Sequence, residues 1–107
     1  MPRITIPTAL ILQAIDNGFA FGFDVMRVTG LPSGTVYPAL RRLENEGLVR
    51  SRWEAEEQAH AEGRPARKDY EITPRGRRLL AQRVENDAVV RGALQLVPRK
   101  QAAEELS

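Results

Sequence analysis

The sequence has no cysteine and only one histidine, His60, among its 107 residues. Without cysteine there is no disulfide, no thiolate metal site and no cysteine nucleophile, which suits a reducing compartment. A single histidine without thiols leaves neither a catalytic triad nor an ordinary zinc site. No apolar run reaches the roughly 18 residues of a membrane span, and the N-terminus does not resemble a signal peptide. We therefore expect a cytoplasmic protein that is not an enzyme, needs no cofactor and has no membrane partner.

A large excess of one charge is also missing, since 16 basic and 14 acidic residues give a net charge of +2. Fourteen of the basic residues are arginine, which grips phosphate and base edges with two hydrogen bonds at once. This composition favours nucleic acid only weakly, because solvated surfaces are also rich in charge. The length suits one compact domain with a small core.

Hydrophobic spacing predicts three helices in the first half of the chain. Helix one follows Pro7 and ends near Gly18, and helix two spans Phe21 to Thr29. Ser33 stands where the N-cap of helix three belongs, and Gly47 ends that helix. The inward stripe of helix three consists of Val36, Leu40 and Leu43. The short turn between helices two and three has the length found in a helix-turn-helix.

The second half predicts a hairpin and a long helix. Residues 48–53 alternate with the period of a strand, and so does "KDYEIT" at 68–73. The charged segment 54–67 between them reads as a long loop. Thr73 and Pro74 then start a single helix that runs toward Leu94. We expect a mainly α fold with a small β-hairpin: a winged helix-turn-helix over residues 1–73, then a C-terminal dimerisation helix and tail over 74–107.

In a winged helix-turn-helix, helix three enters the major groove of DNA and the hairpin, or wing, reaches a neighbouring groove or phosphate. The outer side of helix three carries hydroxyl groups and arginines suited to phosphate and base-edge contacts. Tyr37 and Pro38, taken alone, fit packing beneath the hairpin as well as they fit DNA contact. The predicted DNA-binding residues are Ser33, Thr35, Tyr37, Pro38, Arg41, Arg42, Arg64, Arg67 and Lys68.

The joined motifs "GTVYPAL", "LENEGL", "WE" and "GRP" resemble the PadR family of transcriptional regulators, in the short form with one C-terminal dimerisation helix. The resemblance covers most of residues 21–80. It implies that Tyr37, Ser33 and Thr35 of helix three, with Arg64 and Lys68 of the wing, approach double-stranded DNA. It also implies repression that a small ligand or stress signal relieves. "FGF" at 21–23 and Asp69 before Tyr70 depart from the family pattern.

Helices one and four carry more apolar residues than one small core requires. This excess predicts a homodimer in which helices one and four of each chain meet. Two recognition helices would then address half-sites about 34 Å apart on a nearly palindromic operator. The predicted interface residues are Leu10, Ile11, Leu12, Ile15, Val84, Ala88, Val90, Leu94 and Val97.

Two other functions stay open at this point. Glu56 and His60 are four residues apart in the acidic loop, so a helical turn there would bring them together as ligands of a divalent metal effector. The full candidate metal set is Glu56, Glu57, His60 and Glu62. An acidic solvated loop explains the same residues without a metal. The third function is a winged helix that contacts only proteins, against which the arginines of helix three and the wing argue.

Overall fold

The structure is a computed structural model that describes residues 4–101 of the chain. In that part the fold is mainly helical with one antiparallel hairpin, as the sequence predicts. The elements, in chain order, are α1 Ile6–Asp16, α2 Gly22–Thr29, α3 Ser33–Asn45, β1 Val49–Trp53, α4 Glu56–Ala61, β2 Lys68–Ile72, α5 Pro74–Glu85 and α6 Ala88–Gln95. No helix within residues 4–101 combines the length and the apolar character that crossing a membrane requires.

Helix α1 is the central element of the core. Its N-cap is Thr5, whose hydroxyl accepts a hydrogen bond from the Thr8 backbone N–H, and Pro7 lies in its first turn. The chain leaves it through Gly18, which has a φ of 106° that favours glycine. Ile11 and Leu12 are fully buried, because α1 contacts α2, α3, α5, α6 and β2.

Helix α3 packs through the predicted stripe, since Val36, Leu40 and Leu43 are all buried. Its N-cap is Pro32, which has an extended backbone, and Ser33 is the first helical residue instead of the cap. The predicted capping role of Ser33 is therefore replaced by an exposed position in the first turn of α3. This leaves the backbone N–H groups of that turn without a side-chain cap.

The hairpin pairs β1 with β2 in a register that runs from Val49 opposite Ile72 to Trp53 opposite Lys68. Its base is fixed by the Thr73 hydroxyl, which donates a hydrogen bond of 2.7 Å to the Gly47 carbonyl. The segment before α2 lies along the free edge of β2, where the Tyr70 N–H donates to the Ala20 carbonyl at 2.7 Å. We call the hairpin with its connecting loop, residues 49–72, the wing.

The long C-terminal helix expected from the sequence is instead two helices, α5 and α6. Helix α5 ends at Glu85 with Asn86 as its C-cap. Asp87 is the N-cap of α6, because its carboxylate accepts hydrogen bonds from the N–H groups of Val89 and Val90 at 3.0 and 3.2 Å. Helix α6 then folds back onto α1. The Asn17 amide holds the end of this segment by donating to the Val97 carbonyl at 3.2 Å.

Candidate nucleic-acid interface

A cleft opens between α3, the wing and the start of α2. It has a volume of about 310 Å³, and its walls carry four aromatic rings, three cationic groups and one carboxylate. The lining residues are Phe21, Gly22, Phe23, Tyr37, Arg41, Glu44, Arg67, Lys68 and Tyr70. Four of the predicted DNA-binding residues, two from α3 and two from the wing, therefore meet at one place.

Tyr37 both packs inside the protein and stays accessible to a partner, the two possibilities that the sequence left open. Its ring packs so closely on Gly22 that a Cβ built at Gly22 would lie 2.5 Å from the Tyr37 Cε1. The side chain is nevertheless 43% exposed, as is much of the adjacent Pro38. Gly22 thus fixes the direction of a ring whose other surface remains open to a partner.

The two neighbouring arginines of α3 point in different directions. Arg41 lines the cleft and is exposed, and it forms no ion pair with any residue between 4 and 101. Arg42 instead donates from its guanidinium to the Thr8 hydroxyl of α1 at 3.3 Å. Successive residues of a helix lie about 100° apart, so the two side chains leave α3 in different directions. Both arginines are exposed, but of the two only Arg41 lines the cleft.

Ser33 and Thr35 occupy the first turn of α3. Ser33 is exposed and Thr35 is half-buried. Because the first turn has no side-chain cap, its N–H groups and the positive end of the helix dipole favour an anion here. Both hydroxyls therefore lie where a phosphate oxygen would be stabilised.

Arg64 is the predicted wing residue that the structure holds in ion pairs, with its side chain 24% exposed. Its guanidinium donates to both oxygens of Glu54, one of them at 2.8 Å, and its Nε donates to Glu62 at 3.0 Å. The Glu54 side chain is only 6% exposed. The hydrogen bond from Arg64 lowers the pKa of Glu54 and overcomes the opposing effect of burial. Arg64 thus joins both ends of the wing loop instead of extending from it.

The other two wing cations stay close to the surface. The Arg67 guanidinium lies 3.6 Å from the centre of the Phe21 ring, a cation–π contact that ties the wing to the start of α2. The Lys68 ammonium is 3.9 Å from a Glu44 carboxylate oxygen on α3. Their side chains remain 42% and 39% exposed, so both keep access to a polyanion.

Tyr70 is one of the cleft residues that the sequence did not assign to the interface. Burial and the nearby carboxylate of Glu44 raise the pKa of its phenol, so the hydroxyl stays protonated and able to donate. The alternation of "KDYEIT" already placed Tyr70 on the face of Ile72. Only the packing of the wing against α3 shows that this face borders the cleft.

The acidic loop folds into the short helix α4, which sets Glu56 and His60 one turn apart. Within residues 4–101, however, no three acidic, histidine or cysteine side chains come close enough together to hold a metal ion. Glu62 of the candidate set is paired with Arg64 instead. The metal hypothesis therefore lacks the geometry it requires in the described part of the chain.

The predicted dimer residues lie largely inside a single chain. The buried members are Ile11, Leu12, Ile15, Val90, Leu94 and Val97, whereas Leu10 and Val84 are half-buried and Ala88 is exposed. They cover one another because α6 folds back onto α1. Two apolar residues absent from the predicted set, Val89 and Leu96, are 73% and 84% exposed. Their spacing of seven residues, two helical turns, is the signal that places them on one side of this segment.

Comparison with known proteins assigns the fold. The model of the family described as "Transcriptional regulator PadR-like family" matches residues 11–82. A PadR family transcription regulator from hypervirulent Clostridium difficile R20291 has a similar structure, with a TM-score of 0.69, 21% identity, and coverage of 85% of this chain and 96% of that one. The smu.1704 protein from Streptococcus mutans UA159 superposes with a TM-score of 0.57 at 20% identity, covering 84% and 85% of the two chains. A search of curated proteins finds no significant match.

Proposed function

Because the chain belongs to the PadR-like family of transcriptional regulators, which are not enzymes, we propose that its cleft and the exposed side of α3 form a sequence-specific site for double-stranded DNA. The observation that carries this proposal is the position of Arg41. It is exposed, without an ion-pair partner in residues 4–101, and next to Tyr37 and Lys68. A free guanidinium on the outer side of the second helix of a helix-turn-helix suits base edges in the major groove.

The first turn of α3 supplies the contacts that orient the protein on DNA. Ser33, Thr35 and the uncapped N–H groups bind phosphate, while Tyr37 and Arg41 reach further along the groove. Arg42 does not take part, because its guanidinium is directed at Thr8. The predicted DNA-binding set on α3 thus narrows to one side of the helix.

The wing contributes through Arg67 and Lys68, whose exposed cations neutralise phosphates beside the groove. Arg64 acts indirectly in this proposal. By pairing with Glu54 and Glu62 it keeps the two ends of the wing loop together, so that Arg67 and Lys68 keep their positions.

We further propose that the regulator acts as a homodimer on a nearly palindromic operator. The half-sites of such an operator are about 34 Å apart, and each receives one α3. With the predicted interface residues mostly covered inside one chain, the exposed apolar surface available to a second copy includes Val89 and Leu96 at the C-terminal end of the described residues. The C-terminal segment from residue 74 would thus serve both the core and the dimer.

We also propose that DNA binding represses transcription and that a small ligand or stress signal releases it. A cavity of about 470 Å³ between α1 and the C-terminal segment is large enough for a small molecule. It is lined by Gln13, Asn17, Val84, Arg91, Leu94, Gln95, Val97 and Arg99. A ligand there would change the packing of α6 against α1, which also contacts α3, the helix proposed to enter the major groove.

Selection of bound sequences from a random pool of duplexes tests the proposal. We expect enrichment of a motif with two inverted half-sites one helical turn apart. The logarithm of the binding constant should fall linearly with the logarithm of the salt concentration, because protein binding to the phosphates releases counterions. A single half-site would contradict the dimer but not the DNA site. If folded protein enriches no duplex at all, the chain belongs to the class of winged helices that contact only proteins.

A further inference from the structure

The single tryptophan of the chain, Trp53, lies at the outer end of β1 and is 66% exposed. An indole is large and apolar, and leaving most of it in water gives up the stabilisation that burial would provide. The wing leaves it largely unshielded at the point where β1 ends, with two residues between it and the start of α4. The side chain therefore presents an apolar ring without an apolar cover in the described residues.

The register of the hairpin shows which way this ring faces. Side chains on alternate residues of a strand share one face, and directly paired residues of two strands share it too. One face of the wing consequently holds three consecutive pairs: Val49 with Ile72, Ser51 with Tyr70, and Trp53 with Lys68. The first pair is buried in the core, and the Ser51 hydroxyl donates to Glu44 of α3 at 2.8 Å. Trp53 thus lies on the face that looks toward α3, beyond the part that α3 covers.

A cation accompanies the ring on this face. The Lys68 ammonium is 5.6 Å from the centre of the Trp53 ring, and it also approaches Glu44 of α3 at 3.9 Å. The lysine therefore lies between the indole and the recognition helix. Together Trp53, Lys68 and Tyr70 form a strip that runs from the tip of the wing to the cleft containing Arg41.

Building on the DNA-binding function above, we propose that Trp53 is a DNA-contact residue whose ring packs on the sugar–phosphate backbone beside the groove that α3 enters. The apolar ring covers the deoxyribose carbons, and the Lys68 ammonium neutralises the adjacent phosphate. Charge favours this occupant, because three cations, Lys68, Arg67 and Arg41, line the cleft beside one carboxylate, Glu44. Arg67 also lies 3.8 Å from Glu54, but its side chain stays 42% exposed. The contact adds affinity and wing placement without reading bases.

The lone tryptophan is also the reporter that tests the idea. With a duplex enriched by selection and labelled on one end, anisotropy of the label measures binding, while acrylamide quenching of the indole measures access to Trp53. Acrylamide is neutral, so the charge of the duplex does not exclude it. We expect binding to protect Trp53 from acrylamide. We also expect Trp53→Ala to weaken binding about tenfold and Trp53→Phe to retain most of the affinity, because a phenyl ring still covers the sugar.

Arg50→Ala provides the matched control, since Arg50 is exposed on the opposite face of the same strand and pairs with Glu71. It should weaken binding less than Trp53→Ala. Amide hydrogen exchange in the two strands of each variant checks that the hairpin remains folded. If the duplex binds but acrylamide access is unchanged and Trp53→Ala binds normally, Trp53 is not a DNA contact. If Trp53→Ala alters the oligomeric state while DNA affinity holds, the ring serves a protein interface instead, which also overturns the proposal. If no duplex binds, the DNA-binding function itself fails.

Discussion

Arg64 holds two carboxylates of the wing with one guanidinium. The planar fork of arginine matches the two oxygens of Glu54, and its Nε remains for Glu62. The Glu54 side chain is only 6% exposed, so removal of Arg64 would leave its carboxylate with Arg67, at 3.8 Å, as the remaining cationic partner. A side chain engaged in this way contributes to wing order first and to DNA contact only through that order.

We predict that Arg64→Ala loosens the wing loop while α1 to α3 stay folded. Amide hydrogen exchange in residues 54–67 should speed up, and DNA affinity should fall less than in Arg41→Ala. Arg64→Lys should restore little order, because an ammonium cannot bind both Glu54 oxygens as a fork. Unchanged exchange together with a large loss of affinity would show that Arg64 touches DNA directly.

The same pair gives the wing a defined response to acid. Since Arg64 lowers the pKa of Glu54, the ionised carboxylate stabilises the fold at pH values above its ordinary pKa. That contribution disappears as the pH falls through the lowered value, because protonation removes the charge that Arg64 holds. Loop exchange in the wild type should therefore increase in acid, and Arg64→Ala should flatten this dependence.

At the scale of an element, the division of the C-terminal segment depends on Asp87. Its carboxylate caps α6 through two backbone N–H groups and also accepts a hydrogen bond of 2.8 Å from Arg83 of α5. These hydrogen bonds lower its pKa. One side chain thus both starts α6 and fastens it to the end of α5.

We predict that Asp87→Ala lowers the thermal midpoint by loosening α6 from α1. Asp87→Asn should have a smaller effect, because an amide oxygen still caps the helix but no longer carries the charge that pairs with Arg83. Asp24→Ala is the control, since Asp24 forms an exposed ion pair with Arg27 within one helix. Equal melting of Asp87→Ala and the wild type would mean that α6 does not depend on this cap.

The elements differ in how far the sequence predicts them. The helix-turn-helix and the hairpin follow from Val36, Leu40 and Leu43 at helical spacing and from the alternation of "KDYEIT", because one local pattern specifies each. The apolar repeat from Leu80 to Ala88 continues across Asp87, so it does not reveal the boundary between α5 and α6. The signal was present, since Asp is a favoured N-cap, but a periodic stripe alone does not show whether a helix is continuous.

The sequence does not show which side chains of a helix or loop are free to contact DNA. That depends on the direction in which each side chain points and on the residues with which it pairs. Arg41 and Arg42 are neighbours with the same chemistry, yet only the packing of α3 on α1 directs Arg42 to Thr8. Arg64 resembled a free wing cation because its carboxylate partner Glu54 is ten residues away in the chain. The meeting of Tyr70 with Tyr37 likewise depends on how the wing docks against α3.

Across the whole molecule, the two ends of the fold carry different tasks in this account. The cleft, the uncapped start of α3 and the exposed face of the wing concentrate the groups that suit DNA. The C-terminal segment completes the core over α1, and its exposed Val89 and Leu96 belong to the surface proposed above for a second copy. Because α1 contacts both α3 and α6, a change in how α6 packs would reach α3 through α1.

The most direct test of the central claim compares Arg41→Ala with Arg42→Ala on a duplex obtained by selection. The two variants remove the same charge from adjacent positions, so nonspecific electrostatics affect both alike. Arg41→Ala should weaken binding by about 1–3 kcal/mol, because the free guanidinium in the cleft reads the groove. Arg42→Ala should bind nearly as the wild type does, since its guanidinium is directed at Thr8. Equal losses, or a larger loss for Arg42→Ala, would contradict the proposed orientation of α3 on DNA.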